Sequence, residues 1–534
     1  MSVLRSVLYY VISAFTLIAK PIMVAIFRLI YGERGQSVPK VTNPLLLESA
    51  TSLAKKIRSR QVTAETVMQA FIQRAKEVNP IINAIVAERY EEALQEAREV
   101  DRQLSQDSIP EELSEGNKPL LGVPLTVKEA FALEGMPNTS GLVSRKGVKA
   151  ESDSASVHRL KGAGMIPFAC TNTSELCMWY ESANNVYGRT KNAYDDTKIV
   201  GGSSGGEGCI ISAGASLMGV GSDIGGSIRM PAFFNGVFGH RPSKDIVPNE
   251  GQHPPATGGQ VELLATGPIC RYAEDLAPSL RIMAGPGASK IKLDTKVDIN
   301  QLRIYSMEED GGSLLTGRVD TQLKQAQRKA FQHLASLGAK AEPVNLNLMK
   351  YSLEMWSAKM AAGKGLKFAC FMAQGEKTGA KVNCFLEILK WVVRQSDHTL
   401  PAIGLGIVET FTPLEDPNVP KLLILLQALH DQLTSLLGDS GVLLYPSHPN
   451  PAPYHNMPIL TPFNFTYTAV FNALGLPVTQ VPLGLSREGL PLGLQVVGAP
   501  YQDHLTIAVA QYLEKGFGGW VPPGVGEAES RKED

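Results

Sequence analysis

Between residues 45 and 107 apolar residues recur at helical intervals among dense charge, as in AERYEEALQEAREVDRQLSQ, which predicts amphipathic helices on the outside of a domain. Beyond residue 107 the pattern changes. LLGVPLTVKEAF (120–131) predicts a short buried strand ending at a charged pair, and GAGMIPFACTN (162–172) a helix end, a turn and a strand. LRIYSM (302–307), GVLLYPS (441–447) and PLGLQVVG (491–498) predict further strands, with helical runs near 316–337, 421–437 and 502–515. Strands alternating with helices predict an α/β sandwich around a largely buried sheet.

The amino terminus breaks this pattern. Val7 to Phe27, VLYYVISAFTLIAKPIMVAIF, is apolar apart from small polar residues and Lys20, and reaches the roughly 20 residues a helix needs to cross a bilayer. A membrane anchor is the first reading and an in-plane hairpin the second. A removable signal peptide is the third, because apolar sequence resumes directly after Lys20-Pro21. Pro21 predicts a kink and Lys20 must snorkel or pair, so a single-pass and a monotopic geometry both stay open. The expected division is an anchor over residues 1–35 and one large domain over 36–534. Flanking charge does not decide which membrane face that domain occupies.

A chain of 534 residues, 44% hydrophobic and 19% charged, can bury a large core. A net charge of −1 without a basic block argues against nucleic acid as a partner. Six cysteines without a CxxC pair predict buried free thiols, and the scattered histidines lack metal-ligand spacing, so no metal and no other cofactor is expected.

Candidate chemistry lies in two glycine-rich turns. IVGGSSGGEG (199–208) leaves Ser203 and Ser204 as its reactive groups. A phosphate loop would need Lys and Ser/Thr after the glycines, whereas Gly205-Gly206 run into Glu207; taken alone, a tight strand-to-helix turn explains the stretch. GVGSDIGGSIRMP (219–231) repeats the recipe around Ser227, with Asp223 before it and Arg229 after it. Here the N–H groups of Ile224, Gly225, Gly226 and Ser227 can converge on a developing oxyanion if the glycines permit, which makes Ser227 the better nucleophile. Only His240 lies near either turn, so the base is sought in a lysine whose pKa burial lowers. Lys128 fits, since the apolar run before it draws its stem inward; an ordinary strand-end lysine paired with Glu129 is the alternative.

With both turns in view, GGSSGGEGCIISAGASLMGVGSDIGGSIRMPA (201–232) resembles the amidase signature, and GVPLTVKEAF resembles that family's lysine segment. The separations, 203 − 128 = 75 and 227 − 203 = 24, suit the family's fatty-acid amide hydrolase branch, and the likeness runs from about residue 40 to 520. The resemblance implies an α/β amidase signature fold, a central mixed β-sheet covered by helices on both faces. It implies Ser227 as nucleophile, Ser203 as a bridging serine after a cis Gly202–Ser203 peptide, and Lys128 as base, cleaving amides through an acyl-enzyme. Ser204 is expected to support that network and Asp223 with Arg229 to brace the nucleophile loop, although each reads equally as a satisfied loop polar group. LCMWYE resembles the pocket lining, making Cys177, Met178 and Trp179 candidates, with core packing expected for at least one.

CFLEILKWVV (384–393) and LPAIGLGIVETF (400–411) lie where the family carries a membrane-facing cap or acyl channel, though buried helices are the commoner cause of such runs. Together with the anchor, the resemblance points to a membrane-associated serine hydrolase of primary fatty amides and N-acylethanolamines, on the endoplasmic reticulum or lipid droplets. An alkaline pH optimum is expected, and a homodimer is left open. Two alternatives stand beside this: another amidase of the same fold, acting on small amides or as an amidotransferase subunit, and a catalytically silent membrane-bound lipid-binding protein.

Overall fold

The computed structural model of the protein describes residues 21–106, 110–313, 315–363, 365–411 and 417–524; residues 1–20, most of the expected anchor, lie outside the described residues. An 11-stranded mixed sheet runs through the described residues in the order β1 (Ile85–Glu88), β3 (Ile166–Thr171), β2 (Pro124–Lys128), β6 (Met218–Asp223), β8 (Ala265–Cys270), β7 (Phe238–Arg241), β12 (Val478–Leu485), β13 (Pro491–Gly498), β11 (Gly441–Tyr445), β9 (Arg303–Ser306) and β10 (Lys340–Pro343). A separate small ribbon pairs β4 (Ala183–Asn184) with β5 (Gly188–Arg189). β3, β2 and β6 run parallel at one end and β11, β9 and β10 at the other, joined by antiparallel pairs. Every residue of β2, β3, β6, β8 and β13 is buried. Successive side chains point to opposite faces of a strand, so both faces here are covered, and the strands read as continuous apolar runs rather than alternations.

The strands expected within 120–131, 162–172, 302–307, 441–447 and 491–498 are present, as are helices Thr321–Ser336, Val419–Leu437 and Asp503–Phe517. The stretch 45–107 departs from an all-helical reading. Helices Ala50–Arg58, Ala64–Ile82 and Tyr90–Leu104 are interrupted by β1, which pairs antiparallel with β3. Asn83, at φ 48°, ends the middle helix in a left-handed cap, and the open edge of β3 then takes up the following IVAE.

A core of buried residues extends from Val38 to Trp520, and a smaller cluster including Leu142, Leu176, Phe368, Phe371 and Ile403 lies beside it. The runs 384–393 and 400–411 form helices Cys384–Val392 and Leu400–Phe411, which pack on each other. The buried-helix reading fails for the first, whose Phe385, Leu389 and Val392 are 50%, 65% and 69% exposed. Residues 21–31 are helical; Phe27 and Tyr31 stack on Tyr454 while Ile22, Ile26, Leu29 and Ile30 face outward. No helix among the described residues is long and apolar enough to cross a membrane.

Candidate active site

The sheet brings the two serine turns and the lysine together. Lys128 ends β2, beside β6, whose last residues Ser222 and Asp223 lead into the loop carrying Ser227. Ser203 comes from the turn that starts helix Gly205–Ser212. Its peptide with Gly202 is cis, and a Cβ at Gly202 would sit 2.4 Å from the Trp179 carbonyl oxygen, so only glycine fits there. The turn is held from outside: Thr173 Oγ1 and Ser182 Oγ donate to the Ser203 carbonyl (2.9 and 3.2 Å), and Ser182 Oγ accepts from Gly205 N–H at 3.0 Å.

Lys128 is completely buried, with Nζ 2.7 Å from Ser203 Oγ and 2.9 Å from Ser222 Oγ. Burial pushes its pKa below the ordinary lysine value, against the opposing pull of Cys177, Asp223 and Glu207. A buried amine kept neutral takes a proton from one hydroxyl while donating to the other. Under this arrangement lies Glu207, also fully buried, accepting from Thr126 Oγ1 (2.6 Å) and Thr171 Oγ1 (2.9 Å). Burial pushes its pKa up to about 8, so near neutral pH it adds little charge beneath the lysine.

Ser227 lines a cavity of about 40 Å³ with Ser203, Ser222, Ile224, Cys177, Met178 and the 252–264 segment. The two serine hydroxyls share this cavity without a hydrogen bond between them. Asp223 fixes the loop: its carboxylate accepts from Gly226 N–H (2.7 Å) and Ile228 N–H (3.1 Å), on either side of Ser227. Arg229 closes a bidentate pair on Asp223, 3.0 Å at each oxygen, and donates to Thr468 O and Gln495 Oε1. Burial alone would raise the Asp223 pKa, but Arg229, Arg241 and Asn472 outweigh it and hold the carboxyl well below its usual range.

One part of the expected oxyanion set is corrected. The Gly226 N–H is already given to the Asp223 carboxylate, at 2.7 Å, within a loop that takes φ +126° at this glycine. Among the described residues the N–H groups of Ile224, Gly225 and Ser227 have no acceptor, so these three remain as candidates for an oxyanion site. Ser204 caps helix Gly205–Ser212, donates its N–H to the Ser227 carbonyl at 3.2 Å and places its hydroxyl 3.5 Å from the Ser222 carbonyl.

Cys177 and Met178 line the serine cavity, while Met178 and Trp179 line an adjoining cavity of about 350 Å³ with Phe368, Trp391, Leu400 and Ile459. Trp179 also packs against Tyr180, with ring centroids 5.2 Å apart. The larger cavity is in the size range of small-molecule sites. Sequence reasoning missed Ser222, although it stands one residue before Asp223 in the same glycine-rich stretch, and it read Glu207 only as a group that repels phosphate.

A fully buried lysine lies between a strand-end serine and a turn serine beside a glycine loop, and the amidase family model matches residues 66–507: the chain belongs to that family. It is 55% identical to human fatty-acid amide hydrolase 2 over 91% of this chain and 92% of that protein. It is 52% identical to zebrafish fatty-acid amide hydrolase 2-A, over 98% of this chain and 96% of that one. A solved structure of a fatty acid amide hydrolase superposes with a TM-score of 0.71 at 22% identity, covering 90% of this chain and 86% of that one, which is a likeness of fold.

Proposed function

We propose that this chain is a membrane-associated serine hydrolase that cleaves fatty-acid amides, among them oleamide and N-acylethanolamines such as anandamide, to free fatty acid and ammonia or amine. The observation that carries the reading is the fully buried Lys128 amine, 2.7 Å from Ser203 in a cavity wall shared with Ser227. Ser227 Oγ attacks the amide carbonyl carbon, its proton passing to Ser203 Oγ as Ser203 gives its own to neutral Lys128 Nζ. The hydrogen bond between the two serines forms as the substrate binds. The N–H groups of Ile224, Gly225 and Ser227 receive the developing oxyanion. The relay then returns the proton to the leaving nitrogen as the C–N bond breaks, since an amine leaves poorly unprotonated. Water attacks the resulting ester by the same relay run again, releasing the acid and restoring Ser227.

The acyl chain runs through Met178 and Phe368, which belong to both cavities, into the 350 Å³ space beside Trp179, Trp391 and Leu400. At about 0.8 kcal/mol per buried CH₂, a long chain binds far more tightly than acetamide. Trp391 sits on the helix whose Phe385, Leu389 and Val392 face outward, so the apolar face adjoins the cavity mouth and supports substrate entry from a bilayer or lipid-droplet surface. The segment 1–35 serves as the second attachment, on the endoplasmic reticulum or a lipid droplet. The relatives named fatty-acid amide hydrolase 2 support the same substrate class.

Release of fatty acid from amides of increasing length, acetamide to oleamide and oleoylethanolamide, tests this with wild type beside Ser227→Ala. Activity that rises steeply with chain length and disappears in the variant is expected. Turnover of short amides alone would leave an amidase without the lipid substrate, and no turnover at all would leave a fold without its reaction.

A further inference from the structure

Among the polar side chains of the serine cavity that the mechanism does not use, His253 stands apart. His253 lines it and is only 9% exposed, yet neither of its ring nitrogens has a hydrogen-bond partner among the described residues; Nε2 is wholly shielded. Buried imidazoles are ordinarily paired, and one left without a partner is costly enough to call for an explanation. Its polar neighbours in the cavity are bonded elsewhere and not to its ring. Gln252 Nε2 donates to Thr266 Oγ1 at 2.7 Å, and Gln260 Oε1 accepts from Thr257 N–H at 3.1 Å. Backbone contacts, not side-chain bonds, set the position of His253: its N–H donates to Ala130 O at 2.9 Å and its carbonyl accepts from Ser140 Oγ. Burial, with the Arg145 guanidinium adding to it, lowers the imidazole pKa to about 3, so the ring is neutral across the working pH range.

A neutral imidazole offers one N–H donor and one lone pair. A hydroxyl, which both donates and accepts, can meet Nδ1, the nitrogen that is not wholly shielded, in whichever tautomer the ring holds, whereas an alkyl group cannot. We propose that His253 is a specificity-determining residue that hydrogen-bonds the hydroxyl of an N-hydroxyalkyl leaving group, so that the enzyme favours hydroxylated amides over their alkyl isosteres. The inference rests on the amide-hydrolase reading above and refines its headgroup preference. If the acyl chain takes the larger cavity past Met178 and Phe368, as read above, the 252–264 wall that carries His253 is left to the leaving group.

The test is a competition between N-oleoylethanolamine and N-oleoylpropylamine, in which a methyl replaces the hydroxyl, using wild type, His253→Phe and His253→Gln. Competition in one vessel yields the ratio of the two kcat/KM values whatever fraction of the enzyme is folded. Wild type is expected to favour the ethanolamide, His253→Phe to lower that ratio about tenfold, and His253→Gln, which keeps a donor and an acceptor, to retain most of it. A residue with a structural role alone would depress both substrates together. A ratio that stays within about twofold of wild type in His253→Phe therefore overturns the proposal while leaving amide hydrolysis intact; His253→Leu gives the same readout if the phenylalanine variant does not fold. Failure of wild type to cleave either amide removes both this inference and the reading beneath it.

Discussion

Replacing Arg229 with Met removes both hydrogen bonds to Asp223 and those to Thr468 O, Gln495 Oε1 and Asn472 Oδ1, at a site with no solvent exposure. Breaking a buried ion pair from one side costs about 3–5 kcal/mol, because the remaining charge keeps its desolvation penalty. An unfolding entropy of about 2.1 cal/mol/K per residue over 534 residues is about 1.1 kcal/mol/K, so Tm should fall by about 3–5 °C near neutral pH. The pH dependence gives a sharper test. In wild type the folded Asp223 pKa is depressed, so its contribution is present above the unfolded value of about 3.9 and is lost as pH falls through the folded value. Without Arg229 burial pushes the folded pKa up, and stability drains away as pH rises above the unfolded value. The gap between variant and wild type should therefore narrow from pH 7 toward pH 4. Thermal melts followed by circular dichroism at pH 7 and pH 4.5 measure it, with Asp223→Asn/Arg229→Met expected to lose less than the two single changes summed. A gap under about 1 °C at pH 7, or one equal at both pH values, would refute the assignment of this pair as the brace of the nucleophile loop.

Because Lys128 must be neutral and burial lowers its pKa, the acid limb of the kcat/KM profile should lie below the ordinary lysine range; since Glu207 is largely protonated below about pH 8, Glu207→Gln should leave the profile near neutral pH unmoved, and a limb displaced there would show that Glu207 is charged beneath the base. Gly226→Ala places a Cβ 2.1 Å from Thr468 Oγ1 at φ +126°, so the variant should lose about 1–3 kcal/mol of stability and about 100-fold in kcat; full activity in a purified sample would contradict the loop geometry. Leu389→Glu with Val392→Glu should weaken sedimentation with phosphatidylcholine vesicles by about tenfold or more while hexanamide turnover in solution is unaltered, and unchanged sedimentation would remove this helix from the membrane surface.

Much of this site could be read from the sequence because its parts are local. The two glycine turns each keep one serine within a few residues of the glycines that shape its backbone, and the run before Lys128 is apolar enough to imply burial. The Gly226 N–H could not be assigned, since its partner depends on how a loop of six residues closes over the Asp223 carboxylate. Ser222 was within the quoted motif, but its role depends on β6 lying parallel to β2, a pairing between segments about 90 residues apart. Strands β6, β7, β8 and β12 escaped pattern reading for a related reason: MGVGSD, FGHR, ATGPIC and VTQVPLGL carry Gly or Pro at positions that weaken isolated strands. Their neighbours in the sheet supply the stabilisation that their own composition lacks. The helix Cys384–Val392 illustrates the converse, since an apolar run fixes the helix but not whether the rest of the chain covers it.

The most direct test of the account is to quench wild type and Ser227→Ala during turnover of oleamide and map any oleoyl group by peptide mass spectrometry. The account predicts an oleoyl ester on the peptide containing Ser227 in wild type, with neither adduct nor turnover in Ser227→Ala. An adduct on Ser203 or Cys177, or undiminished turnover in the variant, would contradict it.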